Sequence, residues 1–221
     1  MAHIQQFQFF EALSTLYPEY FLADRVAEVG SLDINGSVRQ FFKGNEYVGY
    51  DLQIGSGVDR AEQGQLISSP TGYYDVAVSA ECFEHNPFWV ETFSNMLRIT
   101  RPSGAIIFSC ASTGRQEHGT SRTSLSDSPL TAAIGWNYYK NLDANDFIET
   151  FNMAGWFDGF HFMFCPQTYD LYFFGIRSNE SSIFNSQNFI KSALEVERVL
   201  WTLNNSVRIL FWTKDAGLVP R

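Results

Sequence analysis

Val26-Ala-Glu28-Val-Gly30-Ser-Leu-Asp33-Ile-Asn35-Gly36-Ser37 is a short apolar run that closes on a glycine and passes into a polar turn. It reads as a strand and a turn, followed by a helical stretch around Gly36 to Phe42. Glycine directly after a strand lets the backbone approach a ligand closely, and the N-terminus of the following helix offers unpaired N–H groups. The same turn serves as plain architecture in many α/β proteins. The stretch alone therefore leaves a ligand floor and a structural turn both open.

The pattern continues outward. Tyr47 to Tyr50 is a second strand, ending in Asp51, and Tyr74 to Ser79 is another, ending at Ala80-Glu81. Pro87 to Thr100 reads as a helix, with proline near its first turn and Phe88, Val90, Phe93, Met96 and Leu97 as its buried stripe. After the turn at Arg101-Pro-Ser-Gly104, Ala105 to Cys110 is a continuous apolar run. Strands alternating with helices predict an α/β fold with a mostly parallel sheet covered on both faces.

The loop from Ala111 to Pro129 is rich in Ser, Thr, Gly and charge, and it follows a strand end, where open α/β sheets place ligands. Another helix begins at Leu142 to Phe147, capped by Asp143 or Asn145. Trp156 to Phe164 and Tyr169 to Ile176, joined at Pro166-Gln-Thr, read as a hairpin at the sheet edge. Ahead of the core, Ile4, Phe7, Phe10, Leu13, Leu16 and Tyr17 make an amphipathic helix that stops near Pro18 and lies across the core face. Ser186 to Asn205 is a long terminal helix, either packed on the sheet or the first helix or making a homo-oligomer contact.

The expected organisation is one domain over residues 1–215, with an N-terminal helix (1–22), a core (25–178) and a C-terminal helix (186–205). Residues 216–221 end in Leu218-Val219-Pro220-Arg221, which looks like a thrombin cleavage remnant, so the natural chain is expected to end near Asp215.

With 221 residues, 45% of them hydrophobic and 21 of them Phe, the chain can bury one sizeable core. A net charge of -9 and scattered Lys and Arg argue against nucleic acid and favour a small molecule or a neutral glycan. Cys82, Cys110 and Cys165 form no CxxC pair, so neither a disulfide framework nor a structural zinc site is indicated. Cys82 and His85 have ligand-like spacing but no matching second pair, and no metal is expected. The N-terminus carries Gln5, Gln6, Gln8 and Glu11 where a signal peptide needs an apolar stretch, and no run of about 18 apolar residues occurs. A soluble cytoplasmic protein with no membrane partner is expected.

Asp51 stands about 20 residues beyond the first glycine, where a carboxylate accepts hydrogen bonds from two ribose hydroxyls. The plainer alternative is a turn residue. Two further segments, Tyr47-Val-Gly-Tyr-Asp51-Leu-Gln-Ile-Gly55-Ser-Gly57-Val-Asp59 and Tyr74-Asp75 through Ser79-Ala-Glu-Cys-Phe-Glu-His-Asn-Pro87, follow Glu28 to Ser37 in order. Together the three resemble class I S-adenosylmethionine-dependent methyltransferases, in particular a bacterial and phage subgroup with an EVGSxDxNGS form of the glycine loop. The resemblance spans Arg25 to Ile107.

It implies a Rossmann-like, seven-stranded sheet with a terminal antiparallel hairpin, and S-adenosyl-L-methionine as cofactor. By position it places Glu28 in the cofactor site, Gly30 and Ser31 against the methionine part, and Asn35 and Gly36 around the loop. Asp51 falls on the ribose, Leu52 on the adenine, and Ser79, Ala80 and Glu81 near the transferred methyl. The chain departs from the pattern at Leu32 and Ile34, where relatives carry glycine, and at Glu62 to Leu66, where Gln63 or Gln65 stands in for an adenine-binding acid.

Methyl transfer to a hydroxyl needs an in-line acceptor and a destination for its proton. The candidate catalytic bases are His85 and His118, with Glu81 and Glu84 beside them; each histidine has a structural alternative, as a helix-start residue for His85 and a solvated loop residue for His118. Trp136, Tyr138 and Tyr139 are either an acceptor wall or core. The leading function is transfer of a methyl group to a small molecule or sugar, with oxygen as acceptor. The rivals are an NAD-linked oxidoreductase and a non-catalytic cofactor-binding or interaction protein.

Overall fold

The computed structural model describes residues 3–181, 183–204, 208–215 and 217–220. Its centre is a nine-stranded sheet of order β3-β2-β1-β4-β5-β7-β6-β8-β9. The first five strands are β1 (Arg25–Val29), β2 (Glu46–Asp51), β3 (Arg60–Ala61), β4 (Tyr74–Ala80) and β5 (Thr100–Ala111), all parallel. Then come β6 (Phe157–Cys165), β7 (Asp170–Arg177), β8 (Arg208–Thr213) and β9 (Gly217–Pro220), each antiparallel to its neighbours. Among the described strands, β7 and β8 alone run against the rest.

The helices are α1 (Ile4–Leu16), α2 (Pro18–Phe21), α3 (Trp89–Ile99), α4 (Pro129–Ala133), α5 (Ala144–Thr150), α6 (Met153–Trp156) and α7 (Ser186–Asn204). One sheet face packs Val26, Val76, Val78 and Ile107 against Phe9, Phe10 and Leu13 of α1 and Phe189, Ala193 and Val196 of α7. The opposite face packs Ala77, Phe108 and Phe173 against Phe93 and Met96 of α3 and Phe147 of α5. Phe108 lies between Phe147 at 4.7 Å and Phe173 at 4.8 Å. Each such buried ring contributes about 2–3 kcal/mol of transfer free energy. Asp143 caps α5 in a reciprocal capping box with Asp146.

Four expectations change. The helix read around Gly36 to Phe42 is only a 3-10 turn over Val38–Phe41, whose cap Ser37 accepts from the Arg39 N–H. That region of the sheet is covered by α1 instead. The sheet has nine strands rather than seven. Consequently the β6–β7 hairpin is internal rather than at the edge, because β8 and β9 extend the sheet beyond β6. Gly217–Pro220, within the presumed vector remnant, pairs as β9 with β8. Asn205, Ala216 and Arg221 lie outside the described residues, as do Met1 and Ala2 of the first helical segment.

Candidate functional site

The sheet topology creates a crevice. From β1 the chain adds β2 and β3 on one side, then β4 and β5 on the other, so the strand order reverses at β1. Open α/β sheets bind ligands outside the carboxyl ends of their strands at such a switch point. A cavity of about 360 Å³ lies there, walled by Glu28, Gly30, Ser31, Leu32, Asn35, Gly36, Asp51, Ala80, Glu81 and His85, among others.

Gly30 has φ +78°, and a Cβ there would lie 2.5 Å from Cys82 Cβ. Only glycine allows both that conformation and that approach. The N–H groups of Gly30 and Ser31 donate to the Tyr50 carbonyl, which ties the loop to β2. The loop then closes on itself, with the Gly36 N–H donating to Asp33 Oδ1 at 2.7 Å. Asp51 is fixed by two backbone donors: Leu52 N–H to Oδ1 at 2.7 Å and Leu32 N–H to Oδ2 at 3.0 Å.

Two expected contacts fall elsewhere. Ser79 is fully buried, and its hydroxyl donates to the Val29 carbonyl at 2.8 Å; it staples β4 to β1 and does not wall the cavity. Leu52 lines a separate hollow of about 40 Å³ with Asp51, Glu62, Gln65 and Trp136. Gln65 therefore faces that hollow, while Gln63 accepts a hydrogen bond from Gln65 at 2.7 Å. Glycines of the second segment serve packing: a side chain at Gly49 would strike the Gly57 carbonyl. Trp136, Tyr138 and Tyr139 are half-buried rather than core.

The cavity walls carry buried and half-buried carboxyl groups. Burial raises Glu28 to about 8, partly offset by the Tyr47 hydroxyl, which donates to its carboxyl at 2.9 Å. Glu81 adopts a left-handed conformation, φ +55°. A relay holds one of its oxygens: Gln6 Nε2 of α1 donates to Ser109 Oγ at 2.6 Å, and Ser109 Oγ donates to Glu81 Oε1 at 2.9 Å. Burial, and then the nearby Glu84 carboxylate, push Glu81 up. Its other oxygen, and the Ser31 hydroxyl, are buried without a hydrogen-bond partner.

Sequence reasoning missed Gln6 as part of the wall, whereas Ser126 to Pro129, which with Leu130 and Thr131 complete it, belong to the loop expected near a ligand. It also missed what surrounds His85. His85 Nε2 lies 3.3 Å from His118 Nε2, and the Tyr139 ring flanks both imidazoles. Burial lowers His85 to about 3, with a smaller contribution from His118, and burial also lowers His118. A histidine so disfavoured as a cation is a weak general base. Glu84 joins the two histidines, with one candidate ligand atom from each residue inside a 4.8 Å span. The sequence reading set Cys82 beside His85; Cys82 instead packs against Gly30, and the third member of the cluster, His118, comes from a distant loop.

No family model matches the chain, and no curated protein matches it. Solved structures do. A SAM-dependent methyltransferase from Thermotoga maritima, described as a possible histamine N-methyltransferase, is 12% identical over 78% of this chain and 89% of its own, with TM-score 0.52. The 1,6-didemethyltoxoflavin-N1-methyltransferase of Burkholderia thailandensis, with bound S-adenosylhomocysteine, is 13% identical over 78% of this chain and 79% of its own, at 0.51. Phosphoethanolamine N-methyltransferase 2 of Haemonchus contortus, also with S-adenosylhomocysteine, is 13% identical over 78% and 53%, at 0.53. What the chain shares with these enzymes is the fold of class I SAM-dependent methyltransferases. No helix among the described residues is long and apolar enough to cross a membrane.

Proposed function

We propose that this chain is an S-adenosylmethionine-dependent methyltransferase, related on its Glu28 to Ser37 loop to the subgroup with the EVGSxDxNGS variant. The observation that carries the reading is Asp51, fixed by two backbone N–H groups beside the Gly30 turn at the switch point. Its remaining lone pairs suit vicinal ribose hydroxyls. Gly30, Ser31, Asn35 and Gly36 would hold the methionine part, and the unpartnered Ser31 hydroxyl and Glu81 Oε2 supply polar groups that such a ligand would satisfy. Leu52 and the Gln65 hollow would take the adenine, with some opening. When bound, the cofactor supplies an electrophilic methyl whose bond to sulfur breaks as the acceptor bond forms.

The chain's own task is to orient the acceptor and receive its proton. Glu81 is better suited than His85 or His118, because one oxygen is anchored by Ser109 and the other is unpaired at the cavity wall. Ser126, Asp127, Ser128 and Thr131 line the cavity with no Lys or Arg among the described lining residues, which favours a small neutral acceptor such as a sugar hydroxyl. An amine is the alternative prompted by the N-methyltransferases above.

An NAD-linked oxidoreductase uses the same strand ends, but a dinucleotide pyrophosphate sits on a helix N-terminus. Here the Asp33–Gly36 closure and a single 3-10 turn replace that helix. Calorimetry with S-adenosylmethionine, S-adenosylhomocysteine and NAD tests the reading: the two sulfur ligands bind and NAD does not. Binding of NAD alone would overturn it. Transfer of labelled methyl to a panel of sugars and amines separates an enzyme from a non-catalytic binder.

A further inference from the structure

We propose that Glu84, His85 and His118 form a binding site for a divalent transition-metal ion of the zinc type. Three independent observations converge on it.

The first is a distance. Two imidazole nitrogens bound to one tetrahedral ion at about 2.1 Å each stand about 3.4 Å apart, and the two Nε2 atoms here are separated by 3.3 Å. As a direct N–H···N hydrogen bond the same separation is long.

The second is the tautomer. His118 Nδ1 lies 3.1 Å from the Gln116 carbonyl, which can only accept, so Nδ1 carries the proton and Nε2 presents a lone pair. Histidine ligands of metals are oriented in this way, by donating the other ring N–H to a backbone carbonyl.

The third is Glu84. It is 0% exposed, and no side chain hydrogen-bonds its carboxyl group, which only the backbone N–H groups of Glu84 and Ala111 approach. An ionised carboxylate is costly in that setting unless a cation meets it. The nearby guanidinium of Arg115 is already engaged by Asp170 at 3.2 Å.

Two histidines and one carboxylate are the protein ligands of a zinc site that keeps a position open. The loop is shaped for the approach: Gly119 has φ +68°, and a Cβ there would lie 2.7 Å from His85 Cε1. An ion so held would fasten the loop carrying His118 to the end of β4. Because His85 also walls the cavity, the ion would stand at its rim.

Chelator-treated protein titrated with Zn2+ by calorimetry, and with Co2+ by visible absorption, tests the site without any methyl donor. One equivalent should bind, with the absorption of low-coordinate Co2+. H118A and E84Q should each weaken binding at least ~10-fold. Circular dichroism checks that the variants are folded, and Zn2+ should raise the melting temperature of the wild type but not of H118A. No stoichiometric binding, or binding indifferent to both E84Q and H118A, overturns the proposal. Either outcome leaves the methyl-transfer reading standing, since cofactor calorimetry tests that separately.

Discussion

The carboxylate of Asp51 accepts the backbone N–H of Leu32 at 3.0 Å, so the end of β2 is tied to the loop that follows β1. One side chain thus fixes the loop and offers its free lone pairs to the cavity. Asp51→Asn turns an acceptor into an amide donor facing a backbone N–H. Cofactor affinity should fall at least ~10-fold, since hydrogen bonds to a charged group are worth about 1.5–3 kcal/mol each. Calorimetry of S-adenosylhomocysteine binding measures it, and unchanged affinity would remove Asp51 from the ribose site.

Gly30 and Gly135 provide a matched pair. Both have positive φ, +78° and +80°, yet a Cβ at Gly30 meets Cys82 while one at Gly135 meets nothing within 4 Å. Gly135→Ala should cost about 1–2 kcal/mol for the left-handed backbone alone. Gly30→Ala should cost more and lower the melting temperature by a further few degrees, about 2–4 °C per kcal/mol at this size. Equal melting temperatures would show that the Cys82 contact relaxes freely.

His161 is fully buried, with neither ring nitrogen hydrogen-bonded, and burial lowers it from 6.5 to about 3. The folded chain keeps it neutral while the unfolded chain takes up a proton below 6.5, so its share of stability is present above that pH and is lost as pH falls toward 3. The slope approaches about 1.4 kcal/mol per pH unit. Because Phe174 and Phe189 surround the ring at 5.6 and 5.8 Å, His161→Phe should fit and flatten the acid limb. Urea melts near neutrality and at about two pH units below it make the comparison; identical slopes would contradict it.

Asp170 is wholly buried, and burial raises it to about 7 despite the Arg115 guanidinium at 3.2 Å. Arg115→Met strands that carboxylate, at a cost of about 3 kcal/mol. Asp170→Asn should cost less, because Arg115 keeps the Thr168 carbonyl as acceptor. Chemical denaturation of both variants ranks them, and the reverse order would show that the pair is not what holds the loop.

The parts of the site legible in the sequence were those set by local pattern. Gly30, Asp51 and Ala80 terminate apolar runs, so their places at strand ends follow from periodicity and punctuation. What escaped depends on partners far along the chain. Gly36 to Phe42 has the composition of a helix start, but Asp33 captures the Gly36 N–H and leaves room for one 3-10 turn. Gly49 and Gly57 belong to a segment that carries the resemblance, but the pattern does not show that they press backbones together. The ninth strand was obscured because its residues resembled a vector remnant. Glu84 and His118 were legible only as separate candidate bases, because the loop after β5 that brings them together is not a local pattern.

The hydrogen bond from Gln6 on α1 to Ser109 on β5 has a thermodynamic consequence. It makes the cavity a joint product of segments distant in sequence, walled by α1, by the ends of β1, β2 and β4, and by residues 126–131. No local opening that frees α1 leaves that wall intact, so a ligand seated there opposes such openings together with global unfolding. At a hundredfold excess over its dissociation constant this adds about 2.7 kcal/mol. Amide exchange in α1, remote in sequence from Asp51, should therefore slow on saturation, making the first helix a sensitive reporter of occupancy.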